Sequence, residues 1–264
     1  MLTAVKNQCR VCLLSLKYNM MREMLNKTTF LSNVGFMILN NAAFIVQWVI
    51  LFHLKEDIGG YTMEEVMLLW GLAAGSYGLA RIICARAFAL PELIIAGKLD
   101  SYLVIPKNVL LSVITSETNT SAIGDLLYGI VIFCIFCFRI DRLLLFLLFI
   151  LTGAVIITAF ALLMGSLTFW FVRADVFGNH MVMSMISLST YPDGIFHGMT
   201  RFILYSIVPV GIAVYHPVHM IMKFQLSGLL LVVGYAAAIL AAAVFVFYRG
   251  LRRYSSGNLM EARM

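Results

Sequence analysis

The sequence is organised around the stretch Tyr191–Pro217, YPDGIFHGMTRFILYSIVPVGIAVYHP. It is apolar enough to enter a bilayer, yet prolines, glycines and the charged residues Asp193 and Arg201 interrupt it. Such a segment either crosses the membrane as a broken helix or enters it and returns to the same side. Irregular backbone at membrane depth is tolerated only where protein or a cavity covers it. The choice between these two paths sets the topology of the whole chain.

The composition is that of an integral membrane protein. Of the 264 residues, 62% are hydrophobic and 12% are charged, whereas soluble domains are about half apolar and about a quarter charged. The net charge of +6 does not by itself indicate nucleic acid, because basic residues collect in the cytoplasmic loops of membrane proteins. No Lys/Arg run is interleaved with aromatic residues as in single-strand binders. We therefore expect a lipid environment and no nucleic-acid partner.

The apolar runs predict an all-α integral membrane protein with six transmembrane helices in one domain, residues 1–264. A helix needs about 20 residues to cross the hydrocarbon core. The predicted spans lie near 28–54, 66–89, 118–138, 143–172, 176–191 and 224–248. The third is the least clear, because its charge-free part is too short and the helix must extend back through Asp125.

The N-terminal residues 4–25 combine apolar side chains at helical spacing with scattered Lys and Arg. This pattern predicts an amphipathic helix that lies in the membrane interface with its basic side toward anionic headgroups. A plain basic segment preceding the first span is the alternative. Both interpretations place the N-terminus beside the membrane.

Four polar residues lie within the predicted spans and are candidate intramembrane sites: Asn40, Asn41, Gln47 and Asp125. An unpaired amide in hydrocarbon is costly, so we expect the amides to face protein. An acidic residue inside a span points to a functional role. The alternative for Asp125 is a position at a helix end, in the interface.

The distribution of Lys and Arg distinguishes the two topologies. With a cytoplasmic N-terminus and a broken stretch that does not cross, most of the 19 Lys and Arg residues lie inside. The ones left outside are then Lys55, Arg139, Arg142, Arg201 and Lys223. A complete crossing would move the C-terminal arginines outside and nearly remove the asymmetry that orients membrane proteins. We therefore predict that residues 191–222 form a re-entrant outer segment and that both termini are cytoplasmic.

No catalytic or metal centre can be assembled from the sequence. Gly97-Lys98 is the sole Gly-Lys pair and lacks the rest of a P-loop, so we expect no nucleotide site in this chain. The CxxC pairs at 9–12 and 134–137 are far apart, and a zinc site needs four converging ligands. The sequence predicts a protein that is not an enzyme and that holds no metal or cofactor.

Two local patterns resemble those of a known family. GKLDSYLVIP, Gly97–Pro106, is similar to the G-x-(L/I)-D-x-x-L-x-x-P pattern that follows the second span in a bacterial subgroup of ABC-2 type transporter permeases. The stretch Tyr191–Pro217 is similar to the YP-x-x-(I/L)-(F/Y)…(I/V)-P…P outer segment of the same subgroup. The order of the predicted helices resembles these permeases over essentially the whole chain.

The resemblance implies the permease subunit of an ATP-binding-cassette exporter in the bacterial plasma membrane. It implies separate cytoplasmic ATPases that hold ATP and Mg²⁺, and a second permease, identical or paralogous. Residues 4–25 would be the elbow helix, and residues 91–106 would contain the coupling helix that contacts the ATPase. The implied ATPase-coupling residues are Pro91, Glu92, Gly97, Lys98 and Asp100, and those of the outer segment are Tyr191, Pro192, Arg201, Pro209 and Pro217.

A stand-alone secondary carrier of a small molecule is the alternative function. Such a carrier needs ionisable groups at mid-membrane depth and often contains an internal repeat. Asp125 is the only acidic candidate, and the two halves of the sequence show no repeat. Neither interpretation identifies the substrate.

Overall fold

The structure, a computed structural model, describes residues 2–171 and 174–255. Within these residues the chain is helical and has no strand, and one antiparallel bridge joins Ile58 to Tyr61 in a loop. The predicted all-α class is confirmed. Arg173 and Arg263, which contributed to the predicted charge asymmetry, lie outside the described residues.

Twelve α-helices and four short turns of 3₁₀ or π geometry make up the described chain. The α-helices are α1 (Leu2–Glu23), α2 (Lys27–Leu54), α3 (Met63–Phe88), α4 (Leu90–Ile95), α5 (Asp100–Leu103), α6 (Val109–Ile114), α7 (Ala122–Ile132), α8 (Ile140–Ser166), α9 (Ala174–Leu188), α10 (Gly198–Ser206), α11 (His216–Met222) and α12 (Leu226–Leu251). A π-helical turn, Phe133–Cys137, continues α7, and another, Gly211–Tyr215, leads into α11. The 3₁₀ turns are Leu167–Phe169, after α8, and Asp193–Ile195, before α10.

Side-chain caps set the starts of two long helices. The Asn26 side-chain oxygen accepts the backbone N–H of Thr29 at 3.1 Å where α2 begins. At the start of α3, Thr62 and Glu65 form a capping box in which each side chain accepts the backbone N–H of the other. Such caps satisfy N–H groups that the first helical turn leaves unpaired. The capping box therefore ends the acidic α2–α3 loop at Thr62, directly before α3 begins.

In the described chain, fewer than six helices are long and apolar enough to cross a membrane on their own. Three helical segments are long and apolar enough to cross a membrane: Lys27–Leu54, Ile140–Phe169 and Leu226–Leu251. The pair Gly198–Ser206 and Gly211–Met222 makes a fourth if it counts as one span, although its axis bends by 75°. Helix α9 has 15 residues and reaches about 22 Å, short of a core about 30 Å thick. The helices support a multi-pass membrane protein and leave the count of six open.

The predicted third span, 118–138, begins later than expected. The side-chain oxygen of Asn119 accepts both the N–H and the hydroxyl of Ser121, at 3.1 and 2.6 Å. An Asn side chain that binds the backbone two residues further on favours a turn over a helix. Helix α7 consequently starts at Ala122. The predicted fifth span, 176–191, likewise ends early, at Leu188.

Helix α3 is the central helix and packs between α7 and α8. Its Gly71-x-x-x-Gly75 face meets α7 so closely that a Cβ added to Gly129 would lie 2.5 Å from the Gly71 carbonyl oxygen. Small residues allow helix backbones to approach in this way in membranes. Helix α12 packs on α8, and α2 packs mainly on α7. The bundle is therefore assembled around α3 and α8.

Both described termini lie at the same end of the bundle, which we call the proximal end. Near the N-terminus, the Gln8 side-chain oxygen accepts the N–H of Asn108 at 3.1 Å, in the segment that connects α5 to α6. The ring of Tyr254, beyond α12, packs edge-on against Phe169 with centroids 6.1 Å apart. Helix α4 packs on the same end of α8. The opposite, distal end holds the α2–α3 loop and the turn before α10.

Candidate functional site

Asp193 is the centre of a polar cluster at the distal end. It is buried, with 3% of its surface exposed, and begins the 3₁₀ turn that follows Pro192. Its carboxylate accepts hydrogen bonds from the hydroxyls of Tyr61 and Tyr205, both at 2.8 Å, and from Arg201 Nη2 at 3.0 Å. Burying a carboxylate is costly unless it is paired and hydrogen-bonded, as Asp193 is. These four residues, the Asp193 cluster, therefore join the α2–α3 loop, the turn and α10.

Backbone contact reinforces this junction. A Cβ added to Gly194 would lie 1.7 Å from the carbonyl oxygen of Gly59, which itself has a left-handed φ of +64°. The Tyr61 hydroxyl also lies 3.2 Å from Nε2 of His219, on α11. Burial, and secondarily the charge of Asp193, raises the pKa of the Tyr61 phenol well above its usual range. Tyr61 therefore remains a hydrogen-bond donor at neutral pH.

The other predicted outer-segment residues lie in separate elements. Tyr191 packs edge-on against the buried ring of Trp48, with centroids 6.2 Å apart. Pro209 is buried in the break between α10 and the following π-helical turn, and Pro217 is buried in the first turn of α11. Proline supplies no N–H to the helix ladder, which accounts for a break at Pro209. The pattern thus marks a bend. Of the predicted set, Arg201 belongs to the Asp193 cluster, and Pro192 directly precedes Asp193.

A cleft of about 310 Å³ opens between α2, α3, α7 and the end of α9. Its lining includes Asn40, Asn41 and Asp125, which the sequence singled out as polar residues within spans. Asn41 Nδ2 donates to Asp125 Oδ1 at 2.6 Å, and both side chains are buried. The structure therefore brings three of the four predicted polar residues together. Gln47 does not line the cleft.

Within this chain, one of the four amides of α2 is covered by protein and the other three are not. Asn41 is buried, but Asn33, Asn40 and Gln47 are exposed. Residues seven positions apart in a helix are offset by only about 20°, so these three form one outward stripe. Asn41, the next residue after Asn40, is rotated by about 100° and points into the bundle. We call the three exposed amides the α2 amide stripe.

The predicted coupling residues form a platform at the proximal end. Pro91 is buried in the first turn of α4, and Glu92 beside it is exposed. Gly97 has a φ of +68°, the left-handed conformation that commonly ends a helix. Lys98 is exposed, and Asp100 is half-buried at the start of α5. The predicted set is therefore mixed: Glu92 and Lys98 can meet a partner, whereas Pro91 supports the platform from below.

Sequence reasoning missed the most exposed part of this platform. Leu103, Val104 and Ile105 are exposed by 43%, 83% and 41%, while Leu99 beneath them is fully buried. The available signal was a run of apolar residues just before Pro106 in a segment assigned outside the bilayer. Exposed contiguous apolar surface marks an interaction site. We call Leu103–Ile105 the apolar knob.

Helix α1 contacts both ends of α6 through polar side chains and leaves apolar ones uncovered. In addition to the Gln8 contact, Asn19 Nδ2 donates to the carbonyl oxygen of Thr115 at 3.2 Å. Leu13, Tyr18 and Met21 are exposed by 67%, 62% and 52%. A helix with one side held by protein and an uncovered apolar side is suited to the membrane interface.

Within the described residues, no group of three or more His, Cys, Asp or Glu side chains is placed to hold a metal ion.

Comparison with family models gives a match over residues 38–257, to a family described as "ABC-2 family transporter protein". This range contains the platform, the Asp193 cluster, most of α2 and every residue of the cleft lining except Met37. No curated protein and no solved structure gives a match.

Proposed function

The chain belongs to the ABC-2 transporter family, and we propose that it is the permease subunit of an exporter and shares its substrate path with a second permease. As a member of this family it is a membrane component of an ABC transporter and associates with an ABC ATPase. In our proposal the ATPase holds ATP and Mg²⁺, and this chain is not an enzyme and binds no cofactor. The exposed platform at the proximal end carries the proposal.

The platform has the surface expected of an ATPase-binding site. The segment that carries the apolar knob also carries the exposed charged side chains of Glu92 and Lys98, and interfaces commonly have an apolar core and a polar rim. Beneath it, Leu93 and Leu99 are buried, so the platform rests on a packed base. Ala89 is the only residue between the end of α3 and the start of α4, and α4 packs on both α3 and α8. A push on the platform would thus reach α3 through rigid contacts.

The α2 amide stripe supports a second permease as partner, identical or paralogous. In the most apolar 18-residue stretch of α2, 11% of the residues are buried within the chain, against 56% in α8. Helix α2 is therefore nearly uncovered in a single chain. Amides facing lipid would be costly, and polar side chains join helices in membranes. The cleft has Asn40 in its lining, on this uncovered side. A partner on α2 would enclose the cleft between the two permeases.

The proposed topology has six spans, a re-entrant outer segment at 191–222 and cytoplasmic termini in the bacterial plasma membrane. Its support is the common proximal end of both described termini, where Arg249, Arg252 and Arg253 are exposed, as expected for a cytoplasmic surface. The 75° bend and the Asp193 cluster favour a segment that turns back at the distal end. The uncovered apolar side of α1 supports its assignment as the elbow helix in contact with lipid.

A charge placed on the knob tests the proposal. We expect Val104→Asp to reduce both recovery of the ATPase with the full chain and substrate-stimulated ATP hydrolysis at least about tenfold, as for a central interface residue. Ser101→Asp adds the same charge at an exposed neighbouring position and is the matched control. The double variant Glu92→Gln/Asp100→Asn is expected to weaken coupling while the chain still folds. Full coupling in both the Val104 and the double variant would refute the assignment of the platform.

The stand-alone secondary carrier remains the second candidate because Asp125 is buried beside the cleft, where an ion-coupling carboxylate would lie. Liposomes that contain this chain alone separate the two functions. Transport driven by an ion gradient would favour the carrier. Transport that requires the ATPase and ATP would exclude it.

A further inference from the structure

We propose that the cleft between α2, α3, α7 and α9 binds an amphipathic amine, with the ammonium group on Asp125 and the apolar body against aromatic side chains. The inference rests on the proposed function and names the substrate class of the same path.

The unused acceptor is one oxygen of a buried carboxylate. Asp125 is 5% exposed, and its Oδ1 accepts the hydrogen bond from Asn41, whereas its Oδ2 has no partner. Among the described residues Asp125 takes part in no ion pair, and Arg81 on the adjacent α3 makes none with it. A buried carboxylate oxygen without a donor is unfavourable. An ammonium group brings three N–H donors and the opposite charge, and so completes this site.

The walls of the cleft favour a cation attached to an apolar body. The rings of Phe44 and Trp70 stack with centroids 4.8 Å apart, and Tyr77 lines the cleft one helical turn above Ala73 and Ala74. Aromatic faces attract cations and also stack with flat apolar groups. The indole N–H of Trp70 is buried without an acceptor, so it can bind a polar atom of the ligand. A wholly apolar ligand would leave both this donor and Asp125 unpaired.

The cleft is accessible from the side of α2 that a second permease would cover. A second groove, of about 540 Å³, is lined by Asn33, Phe36, Met37, Asn40 and Ser121. The two cavities share Met37 and Asn40. Asn40 is exposed where they meet. A ligand can thus move along the groove beside α2 before its amine reaches Asp125.

A matched pair of fluorescent probes tests the inference. Dansylcadaverine carries an aromatic body and a primary ammonium group, and its N-acetyl derivative differs by the loss of that charge. Both are titrated against the purified full chain in lipid nanodiscs, with the signal of empty discs subtracted. We expect the amine to bind at least about tenfold more tightly than the acetylated probe, the effect of one charged hydrogen bond.

Two variants are expected to abolish this preference. Asp125→Asn keeps the shape of the side chain and removes its charge, and Asp141→Asn, exposed at the start of α8, is its control. Asn40→Lys places an ammonium group at the opening of the cleft, and Gln47→Lys makes the same change on the α2 amide stripe outside the cleft. Because both lysine variants alter exposed positions, this pair decides the outcome even if Asp125→Asn does not fold.

Equal affinity of the wild-type chain for the two probes would overturn the inference, as would a preference that survives Asp125→Asn or Asn40→Lys. The result is separable from the test of the proposed function, because the binding assay uses no ATPase. A lost amine preference with intact ATPase coupling through Val104 rejects only the substrate class. If the chain prefers the amine probe but the platform variants leave ATPase coupling unchanged, the permease proposal is rejected.

Discussion

Gly194→Ala tests the junction that holds the α2–α3 loop against the turn before α10. The added Cβ would lie 1.7 Å from the carbonyl oxygen and 2.6 Å from the carbonyl carbon of Gly59. Both atoms belong to backbone, so no side-chain rotation relieves the clash. Carbon and carbonyl oxygen approach to about 3.3 Å, so the loop and the turn must separate by about 1.6 Å.

The expected cost follows from the contacts that this separation breaks. Overpacking at a close contact costs about 1–3 kcal/mol. The displaced loop also carries Tyr61 away from Asp193, and a hydrogen bond to a charged group contributes about 1.5–3 kcal/mol. We therefore expect Gly194→Ala to lower the free energy of unfolding by about 3 to 5 kcal/mol.

Unfolding by SDS in mixed micelles, followed by circular dichroism, measures this loss. Gly234→Ala is the control, because a Cβ at Gly234 meets nothing within 4 Å, and alanine in a helix is more favourable than glycine by about 1 kcal/mol. Tyr61→Phe completes a double-mutant cycle. If Gly194→Ala already breaks the Tyr61–Asp193 bond, the two costs are less than additive. Full additivity, or a Gly194 variant as stable as the control, would refute the reasoning.

Two further predictions concern the core and the distal ion pairs and use the same titration. Gly129→Ala should lower the free energy of unfolding by about 1–3 kcal/mol, because its Cβ would lie 2.5 Å from the Gly71 carbonyl oxygen; unchanged stability would mean that α3 and α7 are not in close contact. Arg142→Gln should cost more than Arg139→Gln, since the Arg142 side chain, paired with Glu64, is 13% exposed and that of Arg139 is 61% exposed. We expect about 1–2 kcal/mol for Arg142 and less than about 0.5 kcal/mol for Arg139, and equal costs would contradict this order.

Residues 91–106 show which features local sequence patterns can predict. The division of this segment at Gly97 was predictable from the sequence, because a glycine between two short apolar segments supplies the left-handed φ of +68° that the structure has there. The apolar knob was not predicted. Whether Val104 is 83% exposed or packed against a neighbour depends on how α5 and α6 fold back, and no local pattern contains that information.

The polar residues within the spans could be identified from the sequence, since amides and a carboxylate are conspicuous in apolar runs. The residues that they contact could not be predicted. A helical period alone separates Asn41 from the α2 amide stripe, yet it does not state which side is buried. That decision came from the packing of α2 on α7, which places Asn41 against Asp125.

The class and the family of this protein can be inferred from local features of its sequence. Hydrophobicity is a property of local runs of sequence, and the Gly97–Pro106 and Tyr191–Pro217 motifs are contiguous. Both can therefore be recognised without knowledge of the tertiary structure. The tertiary structure decided which side chains meet. Tyr61 and Asp193 are 132 positions apart and Asn41 and Asp125 are 84 apart, and such contacts exist only once the helices pack. For this reason the bend at Tyr191–Pro217 was visible in the residues, whereas the cluster that anchors it and the cleft beside it were not.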